Sequence, residues 1–206
     1  RICRASPPDR ANMQAPKLVI LGRDGILNKF REDHVKEPAE WEPIPGALEA
    51  VARLNHAGWH VVVATNQAGI GRGMIDMAAV NAVHLHMMKM LAAKGGRLDA
   101  VFFCPHARED QCECRKPRAG MMHDIAQRYG ADLKLVPMVA DTQRDLEAAR
   151  EAGCPPHLVR TGRASLVSEA EIAQWLAAVP GTTVHDDLAS FAAHLLQHEA
   201  TARFAI

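Results

Sequence analysis

The sequence predicts an α/β fold, a single domain built on a central parallel sheet with helices on both faces. Short apolar runs, each closed by small or polar residues, recur from Lys17 to His185. Between them lie stretches with apolar residues at helical spacing, so strand and helix alternate from end to end. The length of 206 residues suits one domain with a sizeable core.

The first run, Lys17 to Leu21, stops at Gly22-Arg23-Asp24-Gly25. Consecutive apolar residues with β-branched members suit a central strand covered on both faces. In open α/β sheets the chemistry sits beyond the carboxyl ends of such strands. Asp24 is then a loop carboxylate, followed by a glycine free to take positive φ. Lys29 to Pro45 contains Pro38, Pro43 and Pro45, too many for a helix, and is long enough to arch over a site.

Gly46 to Gly58 reads as a helix with a glycine stop. Trp59 to Ala64 is a second strand, and Thr65 to Gly73 the loop at its carboxyl end. Asp76 caps a helix that runs to Ala93. His84 and His86 on that helix are two apart and face different sides, so surface or packing roles are expected of them. Asp99 to Cys104 is a third strand, and Ala119 to Tyr129 a helix. Val136 to Ala140 is a strand that ends in Asp141, and Leu146 to Ala152 a helix closed by Gly153. The pattern closes with strands at His157 to Arg160 and Thr182 to His185, and helices at Glu169 to Ala178 and Asp187 to Gln197, a Rossmann-like order. Residues 1–14 are expected as an extension outside the fold, 15–198 as the domain, and 199–206 as a tail.

Lys and Arg number 24, as do Asp and Glu. No basic surplus draws the chain to nucleic acid or to an anionic membrane. No apolar stretch approaches the roughly 20 residues of a membrane span. The first twelve residues lack the apolar core of a signal peptide, so a cytoplasmic monomer acting on a small molecule is expected.

Four loops at or after strand carboxyl ends carry the polar groups of a phosphoryl-transfer site. They hold Asp24, then Thr65-Asn66, then Arg115-Lys116-Pro117, and last Asp141 with Asp145 four residues on. Moving a phosphate needs a nucleophile, a proton donor, cations against the developing charge, and commonly Mg²⁺. Singly each is weak, since Asp141 or Thr65 could equally cap a following helix. In order they are strong. Cys104-Pro105-His106 and Cys112-Glu113-Cys114 supply three thiolates and one imidazole within one loop, a closed tetrahedral set for a structural zinc. Cys3 and Cys154 stand apart, Cys154 as a small buried residue.

The stretch Gly22-Arg23-Asp24-Gly25-Ile26-Leu27-Asn28 resembles the first motif of the haloacid dehalogenase superfamily, D-x-D-G-x-x-N, with Gly22 at the position of the nucleophilic Asp. From Lys17 to about Thr161 the chain resembles the bacterial heptose bisphosphate phosphatases. That likeness rests on Thr65-Asn66-Gln67-x-Gly69-Ile70-x-Arg72-Gly73, Cys104-Pro105-His106 and Cys112-x-Cys114-Arg115-Lys116-Pro117. It implies a capless, haloacid dehalogenase-like domain with one zinc and one Mg²⁺, releasing the 7-phosphate of D-glycero-D-manno-heptose 1,7-bisphosphate on the way to ADP-heptose and lipopolysaccharide core. Histidinol-phosphate phosphatases share the zinc loop, and a catalytically inactive phosphosugar-binding protein is a further alternative.

Carried over by residue, the resemblance makes Asp24 the general acid/base, with its backbone carbonyl toward Mg²⁺. Thr65 and Lys116 become the phosphate ligands and Asp141 the metal carboxylate. Asn66, Gln67, Arg72 and Arg115 fall to the substrate. Asp145 is left among a water-mediated metal contact, an orienting role and a plain helix-surface acid. Phe30 stands where the family usually carries an acid, Ala140 where it has Gly, and Ala119 where it has Pro. Gly22 removes the attacking oxygen and one carboxylate ligand to Mg²⁺.

Overall fold

A computed structural model describes residues 16–204; the expected extension over 1–14 and Cys3 lie outside the described residues. The strands are β1 (Leu18–Leu21), β2 (His60–Asn66), β3 (Ala100–Cys104), β4 (Met138–Ala140), β5 (Pro156–Val159) and β6 (Thr183–His185). They form one sheet in the order β3-β2-β1-β4-β5-β6, with every pairing parallel. The helices are α1 (Ala47–His56), α2 (Ala68–Gly71), α3 (Met77–Ala93), α4 (Gly120–Tyr129), α5 (Gln143–Ala152), α6 (Glu169–Ala178) and α7 (Leu188–Phe204).

The alternation within β1 explains why its run is apolar throughout. Val19 and Leu21 face one core with Val51 and Leu54 of α1, Met87 of α3 and Phe191 of α7. Leu18 and Ile20 face the other, with Met122 and Ile125 of α4 and Ala148 of α5. A strand buried on both faces has no polar side. Each fully buried Val, Leu or Ile contributes about 1.5–3 kcal/mol. From β1 the chain steps outward through β2 and β3, then returns to the other flank of β1 as β4. That reversal opens a crevice at the carboxyl ends of β1 and β4, where a ligand fits.

Three expectations change. The helix after Asp141 begins at Gln143, a turn before Leu146, because Thr142 caps it, its Oγ1 accepting from the Asp145 N–H at 3.2 Å. The loop after β2 contains the single helical turn α2, and β2 itself runs on through Thr65 and Asn66. The residues expected as a tail from 199 continue α7 to Phe204. Glu199 ties that helix back, accepting from Trp59 Nε1 at 3.0 Å and pairing with Lys17 beside β1. Among the described residues no helix is long and apolar enough to cross a membrane.

Candidate active site

The carboxyl end of β1 delivers Gly22, whose N–H donates to the Val139 carbonyl of β4 at 3.2 Å. A Cβ placed on Gly22 would lie 2.8 Å from Cδ1 of Ile26 and 3.9 Å from Oδ2 of Asp145. The position therefore faces the site, and only the tip of a flexible side chain stands in the way of a larger residue.

Asp24 is held by four side-chain donors from three residues. Arg23 Nη2 reaches Oδ1 at 2.9 Å and Oδ2 at 3.0 Å, with Nε at 3.2 Å from Oδ1. Asn28 Nδ2 donates to Oδ1 at 3.0 Å and Gln67 Nε2 to Oδ2 at 3.2 Å. Burial works to raise this carboxyl, but the Arg23 charge and the donated hydrogen bonds outweigh it and hold the group below its ordinary value. Arg23 itself is buried, and its Nη1 lies 3.2 Å from Nε2 of His84. Since a guanidinium only donates, that ring nitrogen accepts and His84 is neutral. Burial and then the Arg23 charge push its pKa down to about 4. His84 is thus a buried partner of the site, beyond the packing role its helical spacing suggests.

Lys116, buried, reaches across from the loop after β3. Its Nζ donates to the Ala64 carbonyl at 2.8 Å and to Oδ2 of Asp145 at 2.9 Å. Asn66 fixes the Lys116 backbone at both ends, Nδ2 donating to its carbonyl at 3.0 Å and Oδ1 accepting from its N–H at 3.2 Å. Asp145 is therefore no surface acid. Burial works to raise its carboxyl, but the Lys116 charge leads the opposing effects and holds it low.

Asp141 lies at the carboxyl end of β4, free of the cap that Thr142 supplies. Its Oδ2 accepts from the Arg163 N–H at 2.9 Å. Burial, followed by the neighbouring charge of Asp145, pushes its carboxyl up to about 7. Two glycines with positive φ, Gly25 and Gly162, close over this carboxylate, and a Cβ on either would overlap Oδ2. A buried carboxyl so far from its ordinary range fits a cation beside it.

Every catalytic, phosphate and magnesium residue expected from the sequence lines one cavity of about 240 Å³. Of the substrate set, Asn66, Arg72 and Arg115 line it as well. Gln67 does not; it sits behind the wall, donating to Asp24 and to Thr65 Oγ1 at 3.0 Å. Sequence reasoning missed Arg23, His34, Arg144 and Arg163 as cavity residues. The arching segment supplies the outer rim, where Phe30 carries the Arg163 guanidinium over its ring at 4.2 Å. An aromatic in place of an acid still meets a cation there.

The Cys/His loop lies beside this cavity. The ligand atoms of Cys104, His106, Cys112 and Cys114 all fall within 4.8 Å of one another. Neighbouring pairs are 3.3–3.6 Å apart, for instance 3.3 Å from His106 Nδ1 to Cys114 Sγ. The edges of a zinc tetrahedron with metal–sulfur bonds of about 2.3 Å are close to that length. Burial and the two other thiols push Cys114 up to about 12, so the cluster needs a cation to hold thiolates. Among the described residues this is the group of three or more such side chains that converges; Asp24, Asp141 and Asp145 do not.

The chain matches known families, proteins and a solved structure. Residues 113–191 match a family model described as HAD-hydrolase-like, and residues 24–141 one described as polynucleotide kinase 3 phosphatase. The chain is similar to the D-glycero-beta-D-manno-heptose-1,7-bisphosphate 7-phosphatase of Bordetella bronchiseptica, 50% identical over 182 residues that cover 88% of this chain and 98% of that protein. It is similar to the enzyme of the same name from Pseudomonas aeruginosa, 44% identical over 87% of this chain and 98% of that protein. The crystal structure of D,D-heptose 1,7-bisphosphate phosphatase from B. bronchiseptica, complexed with magnesium and phosphate, superimposes with a TM-score of 0.83. It is 50% identical, covering 88% of this chain and 99% of that one.

Proposed function

Because the chain belongs to the D-glycero-D-manno-heptose 1,7-bisphosphate 7-phosphatase family of haloacid dehalogenase-like phosphatases, we propose that its site is built to release the 7-phosphate of that sugar, a step toward ADP-heptose, and that Gly22 disables the covalent half of the reaction. What carries this reading is the meeting of Asp24, Thr65, Lys116 and Asp141 in one cavity around a position with no side chain.

In this account Thr65 and the Lys116 ammonium receive the transferred phosphate, while Arg72 and Arg115 orient the rest of the sugar. With Asp at position 22, a carboxylate oxygen attacks phosphorus, the ester P–O bond breaks, and the departing sugar oxygen takes the proton that Asp24 holds once the phosphate oxygens beside it offset the Arg23 charge, which otherwise keeps this carboxyl ionised. Asp24 then removes a proton from water, which attacks the same phosphorus and frees both phosphate and the aspartate. Asp145 keeps Lys116 in place, and Arg23, Asn28 and Gln67 keep Asp24 aimed. Asp141 and the Asp24 carbonyl would hold a Mg²⁺, which when bound would supply charge neutralisation on the phosphate. Gly22 offers no attacking atom, so the chain as it stands binds phosphosugar with little turnover.

The four-ligand loop holds one zinc with a structural role, since three thiolates and an imidazole leave no open position. Assay of the Gly22→Asp variant on heptose 1,7-bisphosphate and on histidinol phosphate tests the substrate. Preference for the sugar bisphosphate is expected; preference for histidinol phosphate would assign the same site to the other ester.

A further inference from the structure

We propose that His84 is a positioning residue of the catalytic site: it seats the Arg23 guanidinium, and Arg23 in turn aims the Asp24 carboxylate. α3 buries Val80, Val83, His84, Met87 and Leu91 along one face, so an imidazole stands in a stripe that is otherwise apolar. A buried polar ring costs free energy unless it is hydrogen-bonded. Its partner is Arg23, whose Nη1 lies 3.2 Å from His84 Nε2. Phe103 of β3 meets the ring edge-on, with centroids 5.8 Å apart, and limits its rotation.

The guanidinium is held at both ends. Nε and Nη2 form the edge that addresses Asp24, at 2.9–3.2 Å, while Nη1 is left for His84. The Arg23 carbonyl is fixed as well, accepting from the N–H of Leu27 at 2.9 Å and from those of Ile26 and Asn28 at 3.3 Å. Arg23 is 2% exposed, so its Nη1 depends on an acceptor within the protein. The neutrality of that acceptor matters. A carboxylate at 84 would compete with Asp24 for the same charge, whereas an imidazole satisfies Nη1 and leaves the charge to Asp24. Burial, and then the Arg23 charge, push the ring's pKa down to about 4, so it stays an acceptor at neutral pH.

The catalytic consequence rests on the acid/base role given to Asp24 above; the seating of Arg23 does not, and is read on the chain as it stands. In nitrogen NMR spectra at neutral pH, His84 should be the Nδ1–H tautomer with no proton on Nε2, its signal assigned by its absence in His84→Gln. The opposite tautomer cannot accept from Arg23 and would overturn the proposal. The second reading is turnover in the Gly22→Asp background, with folding checked by Tm. His84→Leu should lower kcat by about 10- to 100-fold with KM changed less than about twofold, because a misplaced catalytic group slows the chemical step and leaves binding alone. His84→Gln, whose Oε1 keeps an acceptor at similar reach, should recover most of that loss. Equal kcat in His84→Leu and its parent, or equal losses in the Leu and Gln variants, would overturn the proposal. Inactivity of Gly22→Asp itself would count against the phosphatase reading instead; there, or if His84→Leu does not fold, the tautomer alone decides the seating.

Discussion

Oδ2 of Asp145 accepts a hydrogen bond from Nζ of Lys116 at 2.9 Å, and both side chains are almost wholly buried. The same oxygen lies 3.9 Å from where a Cβ on Gly22 would stand, so this ion pair borders position 22, to which the proposed function assigns the nucleophile. With no carboxylate at 22, Asp145 carries the countercharge of Lys116, and its Oδ1 has no hydrogen-bond partner.

Lys116→Met should therefore destabilise the protein by about 3–5 kcal/mol, because it strands a buried carboxylate. Replacing both partners, Lys116→Met/Asp145→Leu, should recover much of that loss. Urea unfolding of the three proteins measures it. A single variant as stable as the parent would mean that Asp145 finds water or Arg144 at no cost.

The raised carboxyl of Asp141 gives a pH dependence with a definite sign. Its folded pKa of about 7 lies above the ordinary carboxylate value, so the folded state holds the proton more tightly. The stability it contributes is full in acid and is lost as pH rises through 7. Mg²⁺ beside the ionised carboxyl offsets the loss, so the gain in Tm on adding Mg²⁺ should be larger at pH 8 than at pH 6. Asp141→Asn should flatten that difference. Equal gains at the two pH values in the parent would contradict the assignment of the metal to this carboxylate.

The cysteine loop should carry about one zinc per chain, as measured by atomic emission on purified protein. Cys112→Ser should lower the zinc content and the Tm together, since a structural metal contributes its binding energy to folding. Through Arg115 and Lys116, next along the chain, it should also weaken phosphate binding. Purified protein free of zinc, with a Tm that added zinc leaves unmoved, would refute this.

Much of this site was legible because its residues sit where short-range patterns place them. The apolar run into Gly22 and Asp24, the runs into Thr65 and Asp141, and the Cys/His spacing each fix a strand end or a loop. What escaped depends on contacts distant in sequence. Arg23 is buried against His84, 61 residues away. Arg163 and Gly162 reach Asp141 only because β5 lies beside β4 in the sheet. Thr142 took the capping role left open for Asp141, a choice between adjacent residues that spacing cannot make. The last helix outran its apolar pattern because Glu199 finds Trp59 and Lys17 on the sheet.

The central claim is that Gly22 occupies the nucleophile position of an otherwise assembled site. Asp at position 22 requires only that Ile26 turn its terminal methyl aside, and its carboxylate then enters the cavity beside Asp145 and Lys116. Loss of a nucleophile commonly costs on the order of 10⁴ to 10⁶ in turnover. The measurement is Mg²⁺-dependent phosphate release from heptose 1,7-bisphosphate by the chain as it stands and by Gly22→Asp, with Gly22→Asn as the control for volume. The account predicts turnover in Gly22→Asp alone, at least about 10⁴-fold above the other two; equal turnover by the unaltered chain and Gly22→Asp would contradict it.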